Sequence, residues 1–185
     1  MTDRSTRVCP VEKAGSLDTK IRRWFQNPGK ILSPFVTEGM TAVDLGCGPG
    51  FFTIDMAMLA GKSGRVIAVD LQEGMLEKLR EKITGTELEG RITLHKCRQD
   101  SIGLDEKIDF LLAFYLIHEV PEKDGLFREI SSILRPGGTM LIVEPPFHVS
   151  ETAFKTTLQS AEKAGLRLLR RPKMLLQKTA VMEKA

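Results

Sequence analysis

The sequence predicts an α/β domain: a seven-stranded, mostly parallel sheet with helices on both faces and a last strand that runs antiparallel. Three observations carry this. Short β-branched runs alternate with amphipathic helical stretches, the pattern of βαβ units on a parallel sheet. Glycines follow the first such run at once and precede the first core helix. The last two apolar runs are too close together for a crossover helix, so they pair as an antiparallel hairpin at the sheet edge.

Taken in order, the first 15 residues are polar, with Pro10 and Gly15 interrupting any pattern, and read as a tail. Leu17, Ile21, Trp24 and Phe25 then form the stripe of a short helix, punctuated by Asn27, Pro28 and Gly29. Ile31, Leu32, Phe35 and Val36 make a second short apolar face before Gly39. These pieces are expected to form a tail and helical lid over residues 1–39, ahead of a main domain at 40–185. Thr41–Leu45 is the first strand, Phe52–Leu59 a helix stopped by Gly61 and Gly64, and Arg65–Val69 the second strand. Gln72–Ile83 is a helix with Met75, Leu76, Leu79 and Ile83 on one side, and Ile92–His95 a third strand. Ile108–Phe114 is nearly continuously apolar, as a central strand covered on both faces should be. Leu126–Leu134 is a helix ended by the breakers Arg135, Pro136, Gly137 and Gly138, and Thr139–Val143 is the fifth strand. Ser150 caps a helix carrying Ala153, Phe154, Leu158 and Ala161 that ends at Gly165. Leu166–Leu169 and Leu175–Met182 are the closing hairpin.

Composition narrows the function classes. The chain has 185 residues, 27 Lys and Arg against 24 Asp and Glu, and 42% hydrophobic residues. That is one domain with a real core, which excludes a disordered chain or a disulfide-stapled mini-protein. A net charge of +3 is far from that of a dedicated nucleic-acid binder. Cys9, Cys47 and Cys97 are odd in number and show no C-x2-C spacing, and His95, His118 and His148 are scattered. No disulfide framework and no metal site is expected, and a cytoplasmic location fits. No run of 18 apolar residues marks a membrane span, and the first residues lack a signal-peptide core.

The chemistry concentrates at Val43-Asp44-Leu45-Gly46-Cys47-Gly48-Pro49-Gly50. Glycines at a strand-to-helix junction let a ligand lie on backbone N–H groups. A dinucleotide site needs G-x-G-x-x-G, but here the third position holds Phe51 and the glycine arrives one residue early at Gly50. Asp44 would be costly beside a pyrophosphate and useful beside an ammonium group. No Lys-Ser or Lys-Thr follows, so a phosphate-binding P-loop is excluded. Asp70, at the end of the second strand, is placed to accept bonds from both hydroxyls of a ribose, or else to cap the following helix. Leu71 and Met75 supply an apolar edge, and Asp100 with Ser101 is placed to meet an adenine edge.

The string VDLGCGPGFFT, Asp70 after IAV, the Gln99-Asp100 pair, the strand IDFLLAF and the turn LRPGG together resemble the class I S-adenosylmethionine-dependent methyltransferases, specifically the small type 11 methyltransferase domains. The resemblance covers roughly residues 40 to 145 by motif. It implies a three-layer Rossmann-like fold and S-adenosyl-L-methionine as cofactor. It implies that Gly46, Cys47, Gly48 and Gly50 lie along the methionine part with Asp44 near the amino group, and that Asp70 binds the ribose. Leu71, Met75, Asp100, Ser101 and Phe114 complete the implied cofactor set.

The methyl acceptor is expected beyond the carboxyl ends of strands four and five, at the sheet switch point. Phe114, Tyr115, His118 and Glu119 follow the one strand, and Glu144, Pro145, Pro146, Phe147 and His148 the other. His118 is the candidate general base, with Glu144 the alternative at the neighbouring strand end. Glu119 reads as a surface carboxylate or as an orienter of a cation. Pro145-Pro146-Phe147 superficially resembles the N-P-P-aromatic motif of amino-group methyltransferases, but Glu144 replaces the asparagine and the strand differs, so that role is not carried over. Trp24, Phe25, Cys9 and Arg22 are candidates for a lid over the acceptor. The basic run Lys163, Arg167, Arg170, Arg171, Lys173 and Lys178 reads as a solvated face, with little aromatic interleaving for nucleic acid. A small-molecule acceptor is therefore expected. An RNA- or protein-modifying enzyme of the same fold and a non-catalytic nucleoside-binding module are the alternatives, and the oligomeric state stays open.

Overall fold

The structure, a computed structural model, describes residues 26–174 and 176–185. The expected lid residues Cys9, Arg22, Trp24 and Phe25 lie outside the described residues, as does Leu175. Helix α1 (Pro28–Leu32) begins at the capping side chain of Asn27, whose Oδ1 accepts the Lys30 N–H at 3.0 Å. Strand β1 (Thr41–Leu45), helix α2 (Thr53–Ala60), strand β2 (Arg65–Asp70), helix α3 (Glu73–Ile83) and strand β3 (Ile92–Lys96) follow. Strand β4 (Ile108–Phe114) leads through a single 3-10 turn (Ile117–Glu119) to helix α4 (Lys123–Ile133) and strand β5 (Leu134–Glu144). Helix α5 (Glu151–Lys163) and the hairpin β6 (Leu166–Arg170) and β7 (Lys178–Lys184) close the chain. Ser150 caps α5, its Oγ accepting the Ala153 N–H at 3.1 Å.

The sheet order is β3-β2-β1-β4-β5-β7-β6. β7 runs antiparallel to both of its neighbours and is inserted between β5 and β6, so it is the one reversed strand and β6 forms the edge. Period-two alternation divides the core in two. Val43, Leu45, Ile67, Val69, Leu111 and Ala113 face α4 and α5, packing on Phe127, Ile130, Phe154 and Leu158. Ala42, Val66, Ala68, Phe110 and Leu112 face α1, α2 and α3, packing on Leu32, Met56, Leu76 and Leu79. This gives three layers, with both faces of the central strands dry.

Two expectations are corrected. The chain leaves β1 for β2 on one side and later places β4 on the other, so the order reverses between β1 and β4, not between β4 and β5. The switch-point crevice is therefore at the end of β1. The Arg135-Pro136-Gly137-Gly138 cluster does not separate helix from strand but interrupts β5 itself. Leu134 already pairs with Ile108, and pairing resumes at Thr139 opposite Phe110 after a register shift. Among the described residues, no helix is long and apolar enough to cross a membrane.

Candidate cofactor and active site

A cavity of about 350 Å3 opens at the carboxyl ends of β1, β2 and β4, a volume in the range of small-molecule and cofactor sites. Its floor is the glycine loop. The N–H groups of Gly46 and Cys47 both donate to Val69 O, at 2.8 and 3.0 Å, which pins the loop across the end of β2. Gly48 has φ +53°, and a Cβ there would meet nothing within 4 Å, so its backbone is bare on the cavity side. Gly50 has φ +86°, and a Cβ would stand 2.4 Å from Leu79 Cδ1. Gly50 lets the loop close on α3, and it is not among the residues that line the cavity.

The acidic anchors are both on the wall, each held by hydrogen bonds. Asp44 shares the α2 face of β1, and its Oδ2 accepts the hydroxyl of fully buried Thr53 at 2.6 Å. Asp70 Oδ2 accepts the Gly48 N–H and Oδ1 the Gln72 N–H, both at 2.9 Å. Burial pushes the Asp70 carboxyl above its ordinary value, and bonds from the backbone N–H groups of Gln72, Gly48 and Leu71 oppose that. Asp70 thus turns the chain into α3 and also ties the glycine loop in place. Leu71, Met75, Cys47, Asp100, Ser101 and Phe114 also line the cavity. Asp100 is largely exposed and pairs with Arg98 at 3.3 Å. The Ser101 hydroxyl is directed to Glu129 Oε2 at 3.1 Å, which also accepts the N–H groups of Ile102 and Gly103 at 2.8 and 3.3 Å. Burial raises both cavity thiols, Cys97 to about 11, so they are not nucleophiles at neutral pH.

His118 and Glu144 do not line this cavity. They form one unit beside it. Glu144 is 1% exposed; its Oε2 pairs with His118 Nδ1 at 2.5 Å and its Oε1 accepts the His118 backbone N–H at 2.9 Å. The hydrogen bond to Glu144 raises the imidazole above its ordinary value of 6.5, against the opposing effect of burial. The His148 ring lies nearly parallel to that of His118, with centroids 6.5 Å apart.

Three further residues shape the wall, of which Glu129 carries no reading in the sequence. Glu119 lines the cavity and is half-buried, so it is not a surface carboxylate. Glu129 organises the turn after β3 from a helix whose acidic positions look solvated in sequence. Tyr115 is in the left-handed region at φ +59°, and its hydroxyl oxygen accepts the side-chain amides of Gln26 and Gln177 at 2.8 and 2.6 Å. Phe51, Phe52, Phe114 and Tyr115 form a continuous aromatic wall, with successive centroids 5.0, 4.4 and 4.5 Å apart.

Among the described residues, six carboxylates (Asp44, Asp70, Asp100, Glu119, Glu122, Glu129) and one guanidinium (Arg98) line the cavity, and no lysine does. Such a lining repels a pyrophosphate and suits a nucleoside that carries positive charge. Residues 36–183 match a family of proteins described as methyltransferase domains. The chain belongs to that family. Its fold is that of the class I S-adenosylmethionine-dependent methyltransferases, and its cofactor is S-adenosyl-L-methionine, which the charge, size and aromatic wall of the cavity fit. A crystal structure of a SAM-dependent methyltransferase from Aquifex aeolicus is similar at 26% identity and a TM-score of 0.84, covering 95% of this chain and 98% of that one. The ubiquinone/menaquinone biosynthesis C-methyltransferase UbiE of Escherichia coli O1:K1 is 29% identical over 110 residues, 59% of this chain and 44% of that protein. The matched stretch is thus less than half of that relative's length. The [4+2]-cyclase SpnF shares the fold at 18% identity and a TM-score of 0.68, covering 80% of this chain and 60% of that one. The fold alone therefore does not fix the reaction.

Proposed function

We propose that this protein transfers a methyl group to a small molecule, with His118 as the base that deprotonates the acceptor and Glu144 as the residue that positions it. The observation that carries the reading is the double engagement of Glu144 by the ring and the backbone of His118. By accepting at Nδ1, Glu144 fixes the neutral imidazole as the Nδ1–H tautomer and leaves Nε2 with the lone pair. The ring is 27% exposed, so that nitrogen can meet a substrate while the carboxylate behind it stays dry. When Nε2 takes the acceptor's proton, the imidazolium forms against a buried carboxylate and is stabilised there.

The cofactor supplies a methyl group already activated on a sulfonium, so the chain's own task is alignment and exclusion of water more than strong acid catalysis. The aromatic wall supports that task, and Tyr115 ties it to the segments before β1 and β7. Local pairing in the basic run weighs against a phosphate track. Arg167 pairs with Glu183 at 2.5 Å and Arg171 with Glu151 at 2.8 Å, while Arg170 lies over the Phe35 ring. Cys47 and Cys97 are free thiols, which suits a reducing cytoplasm. The test is His118→Ala: cofactor affinity should change little and turnover should fall by about 10^2 or more. Turnover that survives the substitution would remove His118 from the chemistry.

A further inference from the structure

A second cavity, of about 450 Å3, lies in the connection between β6 and β7. Among the described residues its lining holds two cations, Arg171 and Lys173, with apolar Met174 and Leu176 and no carboxylate, the reverse of the acidic first cavity. The two cavities are neighbours: Gln177 lines the second, and its side-chain amide donates at 2.6 Å to the hydroxyl of Tyr115, which lines the first. Glu144 lies opposite Lys178 in the pairing of β5 with β7, next to Gln177 along the chain. The unit of His118 and Glu144, which does not line the first cavity, is thereby placed on the side of the second.

Two features of the second cavity point to a ligand. Arg171 is committed, its Nη1 donating to Glu151 Oε1 at 2.8 Å and its Nε to Thr179 O at 3.4 Å, but Lys173 pairs with no carboxylate among the described residues. Leu176 is 70% exposed and stands at φ +58°, where a bulky side chain is strained, so the backbone keeps an apolar group out in water. Covering that group is favoured in proportion to the apolar area removed from water. One uncompensated ammonium beside an uncovered apolar surface matches a ligand with a single acidic group on an apolar body, whereas a phosphate dianion would keep one charge unbalanced.

We propose that the second cavity is the subsite for the non-reacting part of the acceptor, and that the acceptor is an amphiphilic monocarboxylate: its apolar body covers Leu176 and Met174, and its carboxylate pairs with Lys173. This rests on the methyl-transfer reading above. The reacting end passes the pair of Gln177 and Tyr115 to reach His118 and the cofactor. The carboxylate takes no part in the chemistry. The nucleophile gives its proton to His118 Nε2 and bonds to the methyl carbon, while the electron pair of the broken carbon–sulfur bond stays on sulfur.

The experiment is an amide NMR titration of the S-adenosylmethionine-loaded protein with decanoate, with butyrate as the short-tailed and decyltrimethylammonium as the positively charged counterpart. Decanoate should move and saturate the amide signals of Lys173, Met174, Leu176 and Gln177, and should bind at least about fivefold more tightly than either counterpart. Lys173→Glu should weaken decanoate at least about fivefold, and Leu176→Ser at least about threefold, with melting temperature and cofactor affinity unchanged in both. Decanoate should also slow the transfer of labelled methyl into the small molecules of a cell extract, because it occupies the acceptor's place. Shifts confined to the aromatic wall of the first cavity, equal binding of the cationic counterpart, or decanoate affinity untouched by Lys173→Glu would overturn the proposal and leave the methyltransferase reading standing. Saturating decanoate that leaves transfer unchanged would do the same. Absence of any transfer without decanoate would overturn both.

Discussion

Asp70→Ala perturbs the cavity at the point where the fold and the ligand site share a side chain. In the free protein the substitution removes two charge-assisted hydrogen bonds at 2.9 Å, from Gly48 and Gln72. At roughly 1.5 kcal/mol each, partly offset by the relief of no longer burying a carboxylate, the expected loss of stability is about 2 kcal/mol. For a domain of this size that is a fall in melting temperature of about 4 to 8 °C. The same carboxylate is expected to accept the ribose hydroxyls, and its loss also releases the Gly48 N–H from its tether. The cofactor dissociation constant should therefore rise at least about tenfold, and toward about a hundredfold if both ribose bonds carry full weight. Calorimetry for affinity and differential scanning for stability separate the two effects. A lowered melting temperature with unchanged affinity would leave Asp70 only its turn at the start of α3. An affinity change below about threefold would refute the ribose assignment.

Other outcomes follow from the same geometry. Glu144→Gln should move the ascending limb of the rate against pH profile toward lower pH, because the raised imidazole value comes first from the Glu144 hydrogen bond and the base acts in its neutral form. The same pair should contribute stability in full below the ordinary imidazole value of 6.5 and lose it as pH rises through the higher folded value. The stability difference between wild type and Glu144→Gln should accordingly shrink on going from pH 6 to alkaline pH, as thermal denaturation will report. Gly50→Ala should cost roughly 2 kcal/mol or more of stability, since it combines a left-handed φ with a 2.4 Å approach to Leu79. Gly48→Ala, with open space around its Cβ, should cost only about 1 kcal/mol of stability but at least about tenfold in cofactor affinity.

What was legible in the sequence was whatever local pattern decides. β1 and β4 are buried along nearly their whole length, so their apolar runs identified them, and Ser150 capped α5 where a hydroxyl before a helical stripe should. The charge logic of Asp44 and Asp70 was legible because it depends only on their places relative to the glycines. The interrupted β5 was not: Pro136 and two glycines read as a stop, and only the tertiary pairing of Leu134 with Ile108 makes the segment before them part of the strand. The insertion of β7 between β5 and β6 was hidden for a related reason, since a hairpin signal gives a pair but not which member joins the sheet. In sequence Glu144 reads as an alternative base at a strand end, with no sign of a partner. Its partner His118 lies 26 residues away, and burial of that contact is a property of the assembled sheet. Glu129 is not legible, and of Glu119 only its place after β4 is, because an acidic residue in a turn or on a helix ordinarily faces water and nothing local shows that a cavity takes its place.

The central claim is methyl transfer to a small molecule, and one measurement tests it most directly. The protein is incubated with S-adenosylmethionine labelled in the methyl group, together with a cell extract separated into small molecules, RNA and protein. Label should pass into the small-molecule fraction, and His118→Ala should reduce that transfer by about 10^2. Label passing instead into RNA or protein, with the small-molecule fraction unlabelled, would contradict the account.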